Sequence, residues 1–353
     1  MFDLNSFQPS LGSDNHSGVH PDILNALVNS NVSHCSSYGT DDLSQKCFKK
    51  FESLFGNRAK SFFVFNGTAA NVLSLKALCP SWQSVICTDV SHLNLDECGA
   101  PEAIAGIKLV TAPSQNGKLD PSRLENLMIR NGDQHHSQIG AISITQPTEL
   151  GTVYSEDELL EIKKFAVAHD LKIHVDGARL ANAMSYLDVS FHNFVEILKP
   201  SAISFGGTKN GLLGCEAVIL FEPEIAKTFK FIRKQNMQLP SKSRFMAAQF
   251  LAYLNDDLYL KIARESHQKA VELSSALKDV SEIQQLYPIQ SNAVFISFPK
   301  AWTKPLRNSL FFYIWDEIHW SARLMTSFDT THEHISQFVE TAKKLSNHKG
   351  TTI

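Results

Sequence analysis

Short runs of apolar and β-branched residues recur along the first two thirds of the chain. Most of them are continuously apolar rather than alternating, which is typical of strands that are buried on both faces of a sheet. Helical patterns separate the runs at roughly thirty residues per strand–helix unit, and this order predicts a mostly parallel α/β sheet covered by helices on both faces. The predicted strands are residues 62–65, 84–88, 107–111, 139–145, 171–175, 202–205 and 217–221.

The helical patterns change character along the chain. Residues 155–158 read Ser-Glu-Asp-Glu, a capping-box pattern at the start of a predicted helix over 155–169. Beyond the last of these units, residues 243–277 predict one or two long helices, and shorter strands such as 293–298 follow. We therefore expect an N-terminal segment (1–35), a large α/β domain (36–242) and a smaller C-terminal α+β domain (243–353). The other predicted helices are residues 21–28, 68–78, 225–234 and 333–345.

Composition narrows the class of protein. The chain has 353 residues, of which 43% are hydrophobic and 20% charged, as in ordinary soluble globular proteins. The net charge of −3 gives no reason to expect a nucleic-acid partner. No apolar run has the length of a membrane span, and the N-terminus lacks the build of a signal peptide. The six cysteines are scattered without ligand spacing, so we expect reduced thiols in a cytoplasmic protein and no metal site.

Polar residues that directly follow the predicted strands are the candidates for chemistry, because open α/β sheets bind ligands at the carboxyl ends of their strands. After strand 62–65 come Gly67 and Thr68 at the start of a predicted helix. A glycine turn, a hydroxyl and a helix N-terminus form a cradle for a phosphate. The alternative is that Asn66 or Thr68 only caps the helix.

Three further polar residues follow other strands. His92 comes after strand 84–88, where an imidazole can stack on an aromatic ligand or relay a proton, or is only a satisfied loop residue. Asp176 and Arg179 follow strand 171–175. An aspartate and an arginine at one strand end can pair with a ring N–H⁺ and a carboxylate, although a helix cap and its salt-bridge partner are the simpler interpretation.

Lys209 lies in the stretch Ile-Ser-Phe-Gly-Gly-Thr-Lys-Asn-Gly, after strand 202–205. A lysine in such a turn is most often a solvated charge, but two glycines allow a ligand to come close, and an amine near apolar surface or other cations becomes nucleophilic. Asp176 precedes Lys209 by about one strand–helix unit, so the two are expected at the same sheet edge. A phosphate cradle, a stacking histidine, an acid, an arginine and a lysine together describe a site for pyridoxal phosphate.

With these motifs in view, the chain resembles the fold-type I pyridoxal-phosphate enzymes, and among them the low-specificity L-threonine aldolases of the β-eliminating lyase group. The resemblance runs over nearly the whole chain. His-Val-Asp-Gly-Ala-Arg followed by Gly-Thr-Lys-Asn is its most specific part. The matching segments are residues 13–15, 38–39, 66–71, 92 with 97, 174–179 and 207–210.

The resemblance implies roles for individual residues. Lys209 resembles the lysine that forms a Schiff base with the cofactor, Asp176 the partner of the ring nitrogen, and His92 the residue stacked on the ring. The phosphate would be held by Gly67 and Thr68, with Thr208 as a second hydroxyl. The substrate carboxylate would be bound by Ser13, Arg179 and Arg323, with Tyr38 also at the substrate, while Lys242 and Arg244 would reach the phosphate of a neighbouring subunit.

The implied activity is retro-aldol cleavage of L-threonine, L-allo-threonine or a related β-hydroxy-α-amino acid to glycine and an aldehyde. Many members of the family have a histidine after the central strand; here Glu149 stands at that place, so Glu149, or His92 through a water, is expected to take the β-hydroxyl proton. A homodimer or homotetramer with shared sites is implied. The alternatives are a β-eliminating lyase or aminotransferase of the same fold, or an inactive scaffold or nucleotide-binding protein.

Overall fold

A seven-stranded sheet in the order β1-β7-β6-β5-β4-β2-β3 forms the larger layer of the molecule, in a computed structural model that describes residues 8–347. Strands β2 to β6 pair in parallel, whereas β7 is antiparallel to both of its neighbours, β1 and β6. The mostly parallel α/β fold is therefore confirmed. The strands are β1 Lys60–Val64, β2 Gln83–Thr88, β3 Lys108–Ala112, β4 Gln138–Thr145, β5 Lys172–Gly177, β6 Ala202–Gly206 and β7 Glu216–Leu220.

Helices cover this sheet on both faces, and local sequence signals explain where they begin. Ser155 and Glu158 form a full capping box at the start of α5, and Asn66 caps α3. One face of the sheet is packed by a cluster of aromatic rings from α2, α7, β6 and α9, including Phe51, Phe205 and Phe250. The helices of this part are α1 Pro21–Ser30, α2 Asp42–Phe55, α3 Gly67–Leu78, α4 His92–Leu95, α5 Glu156–Ala168, α6 Leu180–Leu187, α7 Phe191–Leu198, α8 Pro223–Gln235, α9 Ser243–Tyr253 and α10 Leu258–Leu277.

The C-terminal part contains a second, four-stranded antiparallel sheet in the order β10-β11-β9-β8. Two helices and the second half of α10 cover it and supply its separate core. The N-terminal segment joins this part, because Leu11 exchanges backbone hydrogen bonds with Phe311 (2.8 Å) and Met325 (2.7 Å). The elements are β8 Gln284–Gln285, β9 Ala293–Ser297, β10 Tyr313–Asp316, β11 Ser321–Met325, α11 Thr303–Ser309 and α12 His332–Asn347.

The division into residues 1–35, 36–242 and 243–353 stays a prediction. The hydrophobic cores suggest a later boundary: Phe250 and Tyr253 of α9 belong to the core of the large sheet, and α10 contributes Ala263 to that core but Leu273 to the second. Segment 243–277 forms two helices rather than one because Asp256 and Asp257 adopt left-handed backbone conformations between them. Among the described residues, no helix combines the length and apolar character that crossing a bilayer requires.

Candidate active site

The carboxyl ends of β5 and β6 lie side by side, and they bring Asp176 and Lys209 to one edge of the sheet. Asp176 is paired with Ser204 of β6, and Lys209 follows the end of β6 by three residues. This is the arrangement that the spacing of the two residues predicts. The glycines before Lys209 were expected to let a ligand come close, but the structure gives another reason for them. A Cβ on Gly206 would lie 2.3 Å from the Ala178 carbonyl oxygen, so close backbone packing, rather than clearance for a ligand, requires glycine there.

Two adjoining cavities open at this edge and share His92, Asp176 and Lys209. We call the smaller one, of about 310 Å³, the cradle end; it is lined by Gly67, Thr68, Asn71, Thr208 and Glu216. The larger one, of about 530 Å³, is the cleft end; it is lined by Ser13, Glu149, Arg179, Trp315 and Arg323. The cradle end is lined mainly by strand ends of the large sheet and by the start of α3, whereas the cleft end is also lined by residues of the second sheet, and Asn15 of the N-terminal segment borders both ends.

The Lys209 side chain is largely buried between the two ends. Within residues 8–347 its amine has no hydrogen bond and no ion pair. Burial, and next to it the positive charge of Arg179, lower the pKa of the Lys209 amine below its usual range. A larger share of this amine is therefore unprotonated at neutral pH, which is the state that attacks a carbonyl carbon.

A hydrogen-bonded network fixes Asp176 and connects it to His92. One oxygen of the buried Asp176 carboxylate accepts from the Ala178 N–H (3.0 Å) and the other from the Asn71 amide (2.8 Å). The same amide donates to Glu97 (3.1 Å), whose oxygen lies 2.9 Å from Nδ1 of His92. Asn71 is thus a link that sequence reasoning left without a role, although the residue lies inside the motif 66–71.

His92 lies at the start of α4 and is half exposed to the cavity. Its hydrogen bond to Glu97 is the main reason that the pKa of the imidazole is raised. By contrast, His174 lies inside β5, two residues before Asp176, and hydrogen-bonds to Ser143 and Ser204. Burial lowers its pKa to about 4. Of the two histidines, only His92 faces the space between Asp176 and Lys209.

The start of α3 has the features of an anion cradle. Asn66 caps the helix by accepting the Ala69 N–H (2.8 Å), as one of the two sequence interpretations expected. The N–H groups of Gly67 and Thr68 are left without an intrahelical partner because they belong to the first turn. A Cβ on Gly67 would meet no atom within 4 Å, so there is open space in front of the turn. The residues present fit a phosphate group here.

Glu216 is a buried acid at the cradle end that sequence reasoning missed. Its two carboxylate oxygens accept the backbone N–H groups of Gly207 (3.1 Å) and Thr208 (3.3 Å), the turn that carries Lys209. Burial raises the pKa of Glu216 to about 7. Thr208, predicted as a second hydroxyl for a phosphate, accepts the Cys215 N–H with its Oγ1 (3.1 Å), so part of its hydrogen-bonding capacity serves the fold.

At the cleft end, Arg179 is held by a buried carboxylate. Its Nε and one terminal nitrogen donate to the two oxygens of Asp14, at 2.6 and 2.8 Å, and Asn292 donates to the same carboxylate at 3.1 Å. Burial raises the pKa of Asp14, but the charge and hydrogen bonds of Arg179 outweigh that effect and lower it to about 2. The salt-bridge partner of Arg179 is therefore Asp14 of the N-terminal segment.

Arg323 and Ser13 complete the cationic side of the cleft. Arg323 lies on β11, and its guanidinium stacks on the Trp315 ring at 4.6 Å. Its buried Nε has no partner, and burial together with the charge of Arg179 lowers its pKa to about 10. Ser13 donates to Asp14 (3.3 Å) and accepts the Asn15 N–H (3.1 Å). These residues can bind a carboxylate that enters the cleft.

Glu149 lies opposite these cations, in the loop that follows β4. One oxygen accepts from the Thr145 hydroxyl (2.7 Å) and the His92 N–H (2.9 Å), whereas the other is buried without a partner. Burial raises the pKa of this carboxyl to about 7. The structure thus brings Glu149 and His92, the two residues predicted to handle the β-hydroxyl proton, into direct contact.

Three predicted site residues do not reach this cavity within the single chain. Tyr38 lies at a positive φ of 60° beside Lys234 and lines a separate groove along β1. Lys242 is exposed before α9, and Arg244 donates to the carbonyl of Val32 (2.8 Å). Within the single chain Tyr38 does not line the cavity around Lys209, and its role at the substrate stays a prediction. The roles of Lys242 and Arg244 toward a neighbouring subunit stay predictions.

Comparisons with known proteins agree with this geometry. A family model described as beta-eliminating lyase matches residues 10–299. The chain belongs to the β-eliminating lyase family. A low specificity L-threonine aldolase of Pseudomonas sp. is 36% identical over 92% of this chain and 94% of its own. The family predicted from the sequence is therefore confirmed.

More distant relatives extend the likeness. A low specificity L-threonine aldolase of Saccharomyces cerevisiae is 25% identical over 84% of this chain and 75% of its own. The solved threonine aldolase of Leishmania major superposes with a TM-score of 0.91 at 28% identity, covering 96% of this chain and all of that chain. A tryptophan decarboxylase of Catharanthus roseus, at 14% identity and a TM-score of 0.78, shares the fold.

Proposed function

We propose that this member of the β-eliminating lyase family cleaves L-threonine, L-allo-threonine or a related β-hydroxy-α-amino acid to glycine and an aldehyde, with pyridoxal phosphate as its cofactor. One observation carries the proposal. An unpaired buried lysine, a fixed aspartate, a histidine and an anion cradle line one cavity, whose cleft end presents arginines opposite an acid. The high identity to an L-threonine aldolase over nearly the full length of both chains supports the choice of reaction.

The cofactor's place follows from the residues that surround the cavity. Lys209 would hold it covalently, Asp176 would face its ring nitrogen, His92 would lie against its ring, and the turn at Gly67 and Thr68 would bind its phosphate. When bound, pyridoxal phosphate acts as an electron sink for a bond broken at the Cα of the substrate. The Ala178 N–H and the Asn71 amide keep the Asp176 carboxylate in one orientation, so that its charge remains directed into the cavity.

The substrate carboxylate binds at Arg323 and Ser13, next to Arg179. Because Asp14 already occupies two nitrogens of Arg179, Arg323 provides the larger uncommitted charge at the cleft end. A carboxylate fixed in this way orients the substrate, and orientation decides which bond at Cα can break.

Glu149 takes the proton of the β-hydroxyl group. A general base works best when its pKa lies near the operating pH, and the pKa of about 7 satisfies this condition. The hydrogen bond to Glu97 favours the protonated form of His92, which makes that imidazole a poorer proton acceptor. Glu149 lines the cleft end, and only one of its two oxygens has hydrogen-bond partners, so the carboxylate retains capacity to accept this proton.

The same proposal includes a cytoplasmic enzyme that assembles as a homodimer or homotetramer. Lys242 and Arg244 then serve the phosphate of a neighbouring subunit's site, and Tyr38 serves the substrate in that site. Sedimentation of the holoenzyme measures the assembly, and a monomer with full activity would contradict shared sites.

The decisive experiment mixes the purified enzyme, supplied with pyridoxal phosphate, with L-threonine, L-allo-threonine and phenylserine. We expect a yellow enzyme that loses its visible absorbance after borohydride reduction, and equal amounts of glycine and aldehyde from at least one substrate. Pyruvate and ammonia as products, or a requirement for a keto-acid acceptor, would indicate β-elimination or amino transfer instead. A protein that stays colourless would contradict the cofactor itself.

A further inference from the structure

Glu216 lies between the two structural features that would hold the cofactor. It is the first residue of β7, where it pairs with Val64 at the end of β1 on one side and with Gly206 at the end of β6 on the other. The first of these strand ends leads into the Gly67 turn of α3, and the second leads into the Lys209 turn. A side chain at this position therefore lies next to both the anion cradle and the lysine.

The Glu216 side chain faces the cavity and is tied to the Lys209 turn. It lines the cradle end together with Gly67, Thr68 and Thr208, and it is only 6% exposed. Both of its oxygens accept backbone N–H groups of the turn before Lys209. The carboxylate thus takes up two N–H groups of this turn and holds the turn in place.

No cation compensates this acid at close range. Within the described part of the chain, Glu216 forms no ion pair within 4 Å, and Lys209 acts on it only from a distance. Cys215, the residue before β7, and Tyr253 on α9 lie close to it, and burial raises the pKa of both groups, so they stay neutral. The other ionisable side chains that line the cradle end are His92, Glu97 and Asp176. A phosphate entering the cradle would meet a second anion in the same small cavity.

Two anions so close in a buried cavity do not both stay charged, and the weaker acid takes up a proton. We propose, resting on the proposed function, that Glu216 positions the Lys209 turn and becomes protonated when the cofactor's phosphate enters the cradle, so that cofactor loading is coupled to proton uptake at this residue. The pKa of about 7 that burial gives to Glu216 without a ligand agrees with this role. The coupling favours loading at neutral or slightly acid pH and weakens it above that.

The test uses the full chain freed of cofactor and titrated with pyridoxine 5′-phosphate, which has the phosphate but no aldehyde to react with Lys209. Calorimetry in two buffers of different ionisation enthalpy measures the protons taken up. We expect about one proton per site near pH 8 and close to none near pH 6, with an affinity that falls about tenfold per pH unit above about 7. Uptake that does not change between these pH values in the unmodified protein would overturn the proposal.

Glu216→Gln is the informative variant, since its amide is a neutral counterpart of the protonated acid. It should bind pyridoxine 5′-phosphate about tenfold more tightly than the unmodified protein near pH 8, without the extra proton uptake. Protons that the ligand or Lys209 exchange cancel in the difference between the two proteins. Glu224→Gln, the same change at an exposed carboxylate of α8, is the matched control and should behave like the unmodified protein.

The outcomes separate the two proposals. If pyridoxal phosphate produces no yellow enzyme in any of these proteins, the proposed function fails. If the enzyme turns yellow but Glu216→Gln takes up as many protons as the unmodified protein, or binds the phosphate ester less tightly, the coupling at Glu216 fails alone. The measurement on the unmodified protein keeps the proposal testable even if the variant does not fold.

Discussion

Buried carboxylates lie at both ends of the cavity, and their pKa values shift in opposite directions. At the cleft end, the Asp14 carboxylate is paired with Arg179 through two hydrogen bonds, and its pKa is lowered to about 2. At the cradle end, Glu216 is also buried but has hydrogen bonds from uncharged groups of the Lys209 turn and no ion pair, and its pKa is raised to about 7. Burial is common to both, so the presence or absence of a cation decides the charge.

This difference separates charges that serve structure from charges that can change during a reaction. The Asp14–Arg179 pair keeps its ionisation across the whole physiological range. Glu149 and Glu216 titrate near neutrality, and each lies where the proposed chemistry brings in or removes a charge. Perturbed acids of this kind concentrate at functional sites because a proton must be exchanged there.

The largest effect is expected from removing the Lys209 amine, which lies between the cradle end and the cleft end. Lys209→Ala should abolish the yellow colour and reduce the cleavage rate by roughly a thousandfold or more, the scale for losing a catalytic nucleophile. Absorbance after addition of pyridoxal phosphate and an aldehyde assay measure the two effects. Lys164→Ala, at an exposed lysine of α5, should change neither. Normal activity in the first variant would rule out Lys209 as the cofactor's lysine.

Glu149→Gln tests whether an unpaired acid performs the proton transfer. We expect cleavage to slow by roughly 10²–10⁴-fold, because general-base catalysis is lost while the hydrogen-bonding shape is kept. In the unmodified enzyme the rate should rise with pH through about 7, as the carboxyl loses its proton, and this rise should vanish in the variant. The exposed residue Glu161 supplies the control Glu161→Gln. An unchanged rate would transfer the role to His92.

The site residues at the strand ends could be predicted from two signals. Each follows an apolar run in the sequence, and ligands of open α/β sheets bind at the carboxyl ends of the strands. Asp176 and Lys209 each follow an apolar run, and the parallel order of β5 and β6 brings such residues to one edge. Gly67 and His92 were found in the same way. The β-structure of residues 202–205 and 217–221 was also predicted within a residue at each end.

The contacts that set charge could not be predicted, because they join segments far apart in the chain. Nothing near Asp14 indicates that its partner is Arg179, and nothing near Glu216 indicates that the first side chain of β7 faces a cavity. The reversal of β7 places that residue at the same edge as the ends of its neighbours. The position of Tyr38 outside the chain's own cavity was hidden for a related reason, since it depends on a backbone turn with a positive φ.

Asp14→Asn would remove the ion pair between Asp14 and Arg179 at the cleft end. It leaves Arg179 without a charged partner, so the free energy of unfolding near pH 7 should fall by about 2 kcal/mol, less than for a fully enclosed pair because Arg179 borders the cavity. The unfolded carboxyl has a pKa near 3.8 and the folded one about 2, so the native protein loses this contribution as pH falls through that window. Urea unfolding at about pH 7 and pH 3 should therefore show the two proteins converging in acid. Asp22→Asn, at an exposed carboxylate of α1, is the control.

Ser13→Ala is the smallest change that still distinguishes the two ends. The Ser13 hydroxyl group borders the cleft and also donates weakly to Asp14. Its loss should leave the yellow colour and kcat nearly unchanged and raise KM about fivefold, the effect of losing one weak hydrogen bond worth about 1 kcal/mol. Ser17→Ala, whose hydroxyl donates to the backbone carbonyl oxygen of Asp14 (2.8 Å), tests for a general loosening of this segment. If both variants raise KM equally, Ser13 acts by holding the turn. If only Ser13→Ala does so, its hydroxyl group binds the substrate carboxylate directly, and the cleft end is the carboxylate site while the cradle end is left untouched.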